Sequence, residues 1–126
     1  MSTLELRLAA EPPSVAVARH AIAGFAEANG ADPGAVAVAV SEAVTNAVLH
    51  AFADPDAGRI AVEARLNGVK GLVVVVSDDG HGITPNPDSP GLGLGLALVA
   101  SLADEVAIER SPAGGTRVRM RFATTA

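Results

Sequence analysis

Ser41-Glu42-Ala43-Val44-Thr45-Asn46-Ala47-Val48-Leu49-His50-Ala51-Phe52 is the stretch on which the reading of this chain turns. Glu42, Asn46 and His50 recur at intervals of four. Helical positions at that spacing lie only about 40° apart around the axis, so the three polar side chains share one ridge. Alanine, valine, leucine and phenylalanine surround them, as expected of a core-facing helix. A carboxylate and a carboxamide on the apolar side of a helix are costly unless something satisfies them. A divalent metal with a polyphosphate is a group of the right chemistry, and the rest of the chain can be read against it.

Upstream, Leu4, Leu6 and Leu8 alternate with polar residues, which predicts a short strand with one buried face. Pro12-Pro13-Ser14 stops that strand and opens a helix through about Ala28, with Asn29-Gly30 as its stop. Asp32-Pro33 supplies an N-cap and a first-turn proline for a second helix that runs to about Phe52. Downstream, Ile60 to Leu66 alternates as a half-buried strand, and Asn67 to Gly71 reads as a hairpin loop. Leu72-Val73-Val74-Val75-Val76 is continuously apolar, as in a central strand. Asp78 to Pro90 is rich in Gly, Pro, Asn and Asp and reads as loop. Leu92 to Leu102 has helical spacing, and Val106–Ile108 and Val118–Phe122 read as two final strands. The order β-α-α-β-β-loop-α-β-β predicts an α+β two-layer sandwich with a mixed, mostly antiparallel sheet and three helices on one face. No internal repeat or linker interrupts residues 1–126, which are read as a single domain.

Nearly half of the 126 residues are hydrophobic, but only Phe25, Phe52 and Phe122 are aromatic, so the core is expected to be alanine, valine and leucine. A net charge of −5 without a basic cluster argues against nucleic acid as a partner, and the lack of Trp and Tyr removes stacking platforms for single strands. There is no cysteine, which excludes disulfides and thiolate metal sites and fits a reducing cytoplasm. No apolar run is long enough to span a bilayer, and no signal pattern opens the chain. The expectation is a soluble cytoplasmic domain.

Two glycine-rich segments stand out. Asp78-Asp79-Gly80-His81-Gly82-Ile83 follows the most hydrophobic strand, where a carboxylate beside glycines suits a ligand that approaches the backbone closely. A strand-terminating turn accounts for the same composition. Gly91-Leu92-Gly93-Leu94-Gly95 opens the third helix, where free N–H groups can face a phosphate. Its spacing is neither the dinucleotide fingerprint nor a P-loop. His20 and His50 have no metal-ligand spacing, and Ser77 and Ser101 have no triad partners nearby.

Taken in order, these segments resemble the ATP-binding domain shared by gyrase B, Hsp90-type chaperones, histidine kinases and MutL, the Bergerat or GHKL fold. The matching pieces are Glu42 and Asn46 in the helix; Asp78, Gly80 and Gly82; Gly91, Gly93 and Gly95; and Gly115-Thr116. Within that superfamily the chain looks most like the stand-alone bacterial anti-sigma factor serine kinases, through Ser41–Ala47 and Ala103-Asp104-Glu105-Val106.

The resemblance implies that ATP and Mg²⁺ are bound. Asn46 would offer its amide oxygen to Mg²⁺, a hard ion that prefers oxygen. Asp78 would accept a hydrogen bond from the adenine amino group, with Gly80 in the same motif. Gly82, Ile83 and Thr116 would line the adenine pocket, and Gly93 and Gly95, with Gly91 before them, would face the phosphates. Glu42 would be the general base toward a serine on an anti-anti-sigma (STAS-type) antagonist. Arg19 would contact a partner, and two copies would pair through their sheets and bind one sigma factor. The chain departs from the family in its lid, Ile83-Thr84-Pro85-Asn86-Pro87-Asp88-Ser89-Pro90, which is short and has no Lys or Arg to steady a γ-phosphate. Glu42 therefore points to a kinase, while the lid points to a nucleotide-gated binding module. A sensor histidine kinase fragment would differ from both in phosphorylating histidine.

Overall fold

The structure is a computed structural model and describes residues 3–53, 58–68, 71–79, 92–110 and 115–125, without the side chains of 50–53 and 92–96. Leucines 4, 6 and 8 do alternate inward, in strand β1 (Thr3–Ala9). Helices α1 (Pro13–Ala28) and α2 (Pro33–Ala53) follow. The Ser14 hydroxyl donates to the Ala9 carbonyl at 2.6 Å and ties the start of α1 to the end of β1. Gly30 takes φ 82° at the stop of α1, a left-handed conformation that glycine adopts without a Cβ clash. Asp32 Oδ1 accepts the N–H groups of Gly34 (3.0 Å) and Ala35 (3.3 Å), which is the N-cap expected from Asp32-Pro33.

Strands β2 (Arg59–Leu66) and β3 (Leu72–Asp78), helix α3 (Leu92–Leu102) and strands β4 (Glu105–Arg110) and β5 (Thr116–Phe122) complete the chain. The strand order is β1-β2-β3-β5-β4, and all four pairings are antiparallel. The expected mixed, mostly antiparallel sheet is thus wholly antiparallel among the described residues. Topology gives the reason. β3 and β4 run in the same direction across the α3 crossover, but β5 lies between them, so their parallel relation never becomes a ladder.

The helices cover one face. Ile60, Val62 and Ala64 of β2, Leu72, Val74 and Val76 of β3, and Val118, Met120 and Phe122 of β5 point into the core. There they meet Ile22 and Phe25 of α1, Val36, Val40 and Val44 of α2, and Val99 of α3. The core is valine and alanine more than leucine: among the described residues Leu72 is the one leucine in it, while Leu4, Leu6, Leu8, Leu66 and Leu102 pack at its margin. Burying a valine or leucine in this way contributes about 1.5–3 kcal/mol each.

The opposite face is open and carries Glu5 and Arg7, Glu63 and Arg65, Glu105 and Glu109, and Arg117, Arg119 and Arg121. Val73 lies there between Arg65 and Arg121 in register and is still buried, because long arginine stems shelter an apolar neighbour while their charged ends stay wet.

Candidate nucleotide-binding site

Asp78 ends β3 on the helix-facing side, following Leu72, Val74 and Val76 in the alternation of the strand. Its Oδ1 accepts the backbone N–H of Thr116 at 3.3 Å, and Thr116 itself is buried at the start of β5. The two residues are 38 apart in sequence, and the placement of β5 beside β3 brings them together. Gly115 makes the approach possible. Its φ is 83°, and a Cβ there would overlap the Asp78 carbonyl oxygen and come within 2.9 Å of Oδ1. Glycine at this point is required by contact as well as by conformation.

Helix α2 packs on β3 and β5, the strands that end in Asp78 and begin with Thr116. On it, Glu42 is half-buried and Asn46 is buried, at 6% exposure. The Asn46 Nδ2 atom has no hydrogen-bond partner among the described residues. A buried amide donor left unpaired costs about 1–3 kcal/mol, so such groups are rare without a reason. An amide can also be turned over, which would put the carbonyl oxygen at that position and face an acceptor, rather than a donor, toward a ligand. In one orientation the group fits a phosphate oxygen, and in the other a hard cation. Asn46 therefore fits the expected magnesium–phosphate ligand, and Glu42 stands one helical turn away.

Gly93 and Gly95 lie in the opening turns of α3, which packs against α2. The N–H groups of a first helical turn have no intrahelical acceptor, so Gly93 falls within that donor set and Gly95 at its edge. Arg19 and His20 are exposed on α1. Gly80, Gly82, Ile83, Gly91 and the whole lid from Ile83 to Pro90 lie outside the described residues, as does the side chain of His50.

One residue of the site region had no role assigned from sequence. The Asp79 carboxylate accepts the N–H groups of Gly58 (2.9 Å) and Arg59 (3.1 Å) through one oxygen, 21 and 20 residues away. Slight burial pushes its carboxyl up, but the N–H groups of Gly58 and Arg59, its own N–H and the Arg59 charge outweigh that and hold it below its ordinary value. The associated stabilisation is present above the unfolded-state value and is lost only as pH falls through the lower, folded one. The signal in sequence was the Asp-Asp doublet at a strand end, which composition alone reads as a turn.

The geometry has close parallels. A family model for the histidine kinase-like ATPase domain matches residues 8–122, and the chain belongs to that family. Anti-sigma F factor of Clostridium novyi (strain NT) is 32% identical over 97 residues, covering 68% of this chain and 67% of that protein. Anti-sigma F factor of Thermoanaerobacter sp. (strain X514) is 30% identical over 133 residues, covering 93% of this chain and 90% of that protein. Among solved structures, the RsbU and RsbW domains of Rv1364c from Mycobacterium tuberculosis superimpose with a TM-score of 0.72 at 26% identity, over 100% of this chain and 34% of that one. The histidine kinase domain of Erythrobacter litoralis EL346 blue-light activated histidine kinase gives a TM-score of 0.61 at 33% identity, over 74% of this chain and 45% of that one. This chain thus spans less than half of either solved chain. Among the described residues no helix is long and apolar enough to cross a membrane.

Proposed function

We propose that this protein is an anti-sigma regulator that binds Mg-ATP and phosphorylates a serine on an anti-anti-sigma (STAS-type) antagonist while sequestering a sigma factor. The observation that carries the reading is the buried Asn46 amide, whose Nδ2 has no partner among the described residues, on the same helix as half-buried Glu42. The relatives named anti-sigma F factor and the RsbW domain supply the partner class. Asn46 would hold Mg²⁺, which when bound supplies positive charge against the phosphate oxygens. Asp78, fixed by Thr116, would accept from the adenine amino group, which guanine lacks at that place. Gly80, Gly82 and Ile83 would flank the base, and Gly91, Gly93 and Gly95 would offer N–H groups to the phosphates. Glu42 would take the proton of the attacking serine hydroxyl as its oxygen bonds the γ-phosphorus and the bond to the β-phosphate breaks, releasing ADP. The role belongs in the cytoplasm.

The test is transfer of labelled γ-phosphate from Mg-ATP to protein in an extract of the source organism. The expected result is a labelled band whose phosphate is acid-stable, as phosphoserine is. An acid-labile band would instead make the protein a histidine kinase. A second reading, a nucleotide-gated binding module with little or no transfer, is favoured by the absence of Lys and Arg from Ile83–Pro90. It predicts ATP-dependent partner capture and no label.

We also read the open sheet face as the seam of a homodimer, with Arg19 on α1 left for the antagonist or sigma factor. Its arginines and glutamates form pairs, the half-buried Arg121 with Glu105 at 3.2 Å and the exposed Arg119 with Glu109 at 3.8 Å, that can be exchanged between copies. Exposed pairs contribute little on their own. Arg119→Glu goes further by setting like charges against one another across the seam, and is expected to shift sedimentation from dimer to monomer at a given concentration. A wild-type protein that is monomeric at all concentrations overturns the seam.

A further inference from the structure

We infer that Asp79 is a positioning residue for nucleotide recognition: it clamps the exit of β3 so that Asp78 presents its carboxylate to the base. The inference rests on the ATP-binding reading above. Beyond Asp78 the ladder between β2 and β3 would end, since Ile60 pairs with Asp78 and β2 begins only one residue earlier. The Asp79 carboxylate extends it by taking the N–H groups of both Gly58 and Arg59. The Gly58 carbonyl in turn accepts the N–H of Ala10 at 2.9 Å, which links the clamp to the end of β1. On the other flank, Asp78 accepts from Thr116.

Two consecutive carboxylates thus bind in opposite directions, one toward β2 and one toward β5. The backbone between them is held from both sides at the point where the base-reading group leaves the sheet. Hydrogen bonds from N–H groups to an ionised carboxylate are charge-assisted and stronger than those between neutral groups, and both of those to Asp79 come from the β2 side, away from β5. On this inference Asp79 itself makes no contact with the nucleotide. Its effect reaches the base only through Asp78.

The experiment compares wild type, Asp79→Ala and Asp79→Asn by calorimetric titration with Mg-ATP and Mg-GTP, alongside amide spectra of the nucleotide-free proteins. Asparagine keeps an oxygen that can accept both N–H groups, whereas alanine keeps none. Asp79→Ala is expected to weaken ATP binding about tenfold, equivalent to about 1.4 kcal/mol. It should narrow the preference for ATP over GTP, with Asp79→Asn restoring both. In the nucleotide-free spectra the Thr116 amide should shift in Asp79→Ala and return in Asp79→Asn. If Asp79→Ala merely lowers the melting temperature, while affinity, base preference and the Thr116 amide stay as in wild type, Asp79 is structural and the inference is wrong. If wild type itself binds no ATP, the nucleotide reading fails. The clamp is then decided by the Thr116 amide alone, and an unmoved amide overturns it.

Discussion

Glu42→Gln is expected to abolish measurable phosphate transfer while ATP still binds. The substitution keeps the size and hydrogen-bonding reach of the side chain and removes only its ability to take a proton. General base catalysis of this kind contributes about 10²–10⁴-fold, and the rate should fall by that factor. Affinity for ATP should hardly change, because on the proposed reading the nucleotide would be gripped from elsewhere: by Asn46 one turn along α2, and by Asp78 with Thr116 at the sheet. In steady state this reads as a lost kcat with KM for ATP retained. Four outcomes separate the readings. Loss of transfer with retained binding makes Glu42 the base. Loss of both makes it a structural carboxylate of the half-buried helix face. Unchanged transfer removes it from the chemistry, and a wild type that binds ATP without transfer leaves the nucleotide-gated module.

Much of this architecture could be read from local signals. The alternation of Leu4, Leu6 and Leu8, the Asp32-Pro33 cap and the Asn29-Gly30 stop each act within a few residues, and the structure places all three as expected. Strand limits were less legible. Val106–Ile108 lies within a strand that runs from Glu105 to Arg110, because backbone pairing with Arg121 and Thr116 continues past the apolar residues. Backbone donors and acceptors must be paired whatever side chain they carry. Least legible was anything set by strand order. That β5 lies beside β3 decides that Gly115 and Thr116 meet Asp78, and no local pattern in β5 announces it. The resemblance to a known family supplied that proximity from motif order alone. Asp79 had no such help: its partners are 20 and 21 residues away, and an aspartate before a glycine reads as a turn.

The buried amide supports the second large prediction, a trade of stability against function at Asn46. Leucine has nearly the shape of asparagine, with two branches at Cγ, but no donor to leave unpaired. In the nucleotide-free protein, Asn46→Leu should therefore raise stability by about 1–3 kcal/mol, the cost of an unmatched buried group. Leucine's better helix propensity adds a few tenths of a kcal/mol in the same direction. For a domain of this size that is a melting temperature several degrees higher. The same change should remove Mg-ATP binding, because the side chain keeps no oxygen or N–H. Adding nucleotide then reverses the order. Wild type gains about 4.1 kcal/mol at a ligand concentration 1,000 times its Kd, by mass action on the folded state. The leucine variant gains nothing and becomes the less stable of the two. Two melting curves per protein, with and without Mg-ATP, test this crossing. A leucine variant that melts lower than wild type without nucleotide would show that the amide is satisfied in the free protein. A variant that still gains stability from Mg-ATP would place the ligand away from α2, and with it the assignment of Glu42 as its catalytic neighbour would fall.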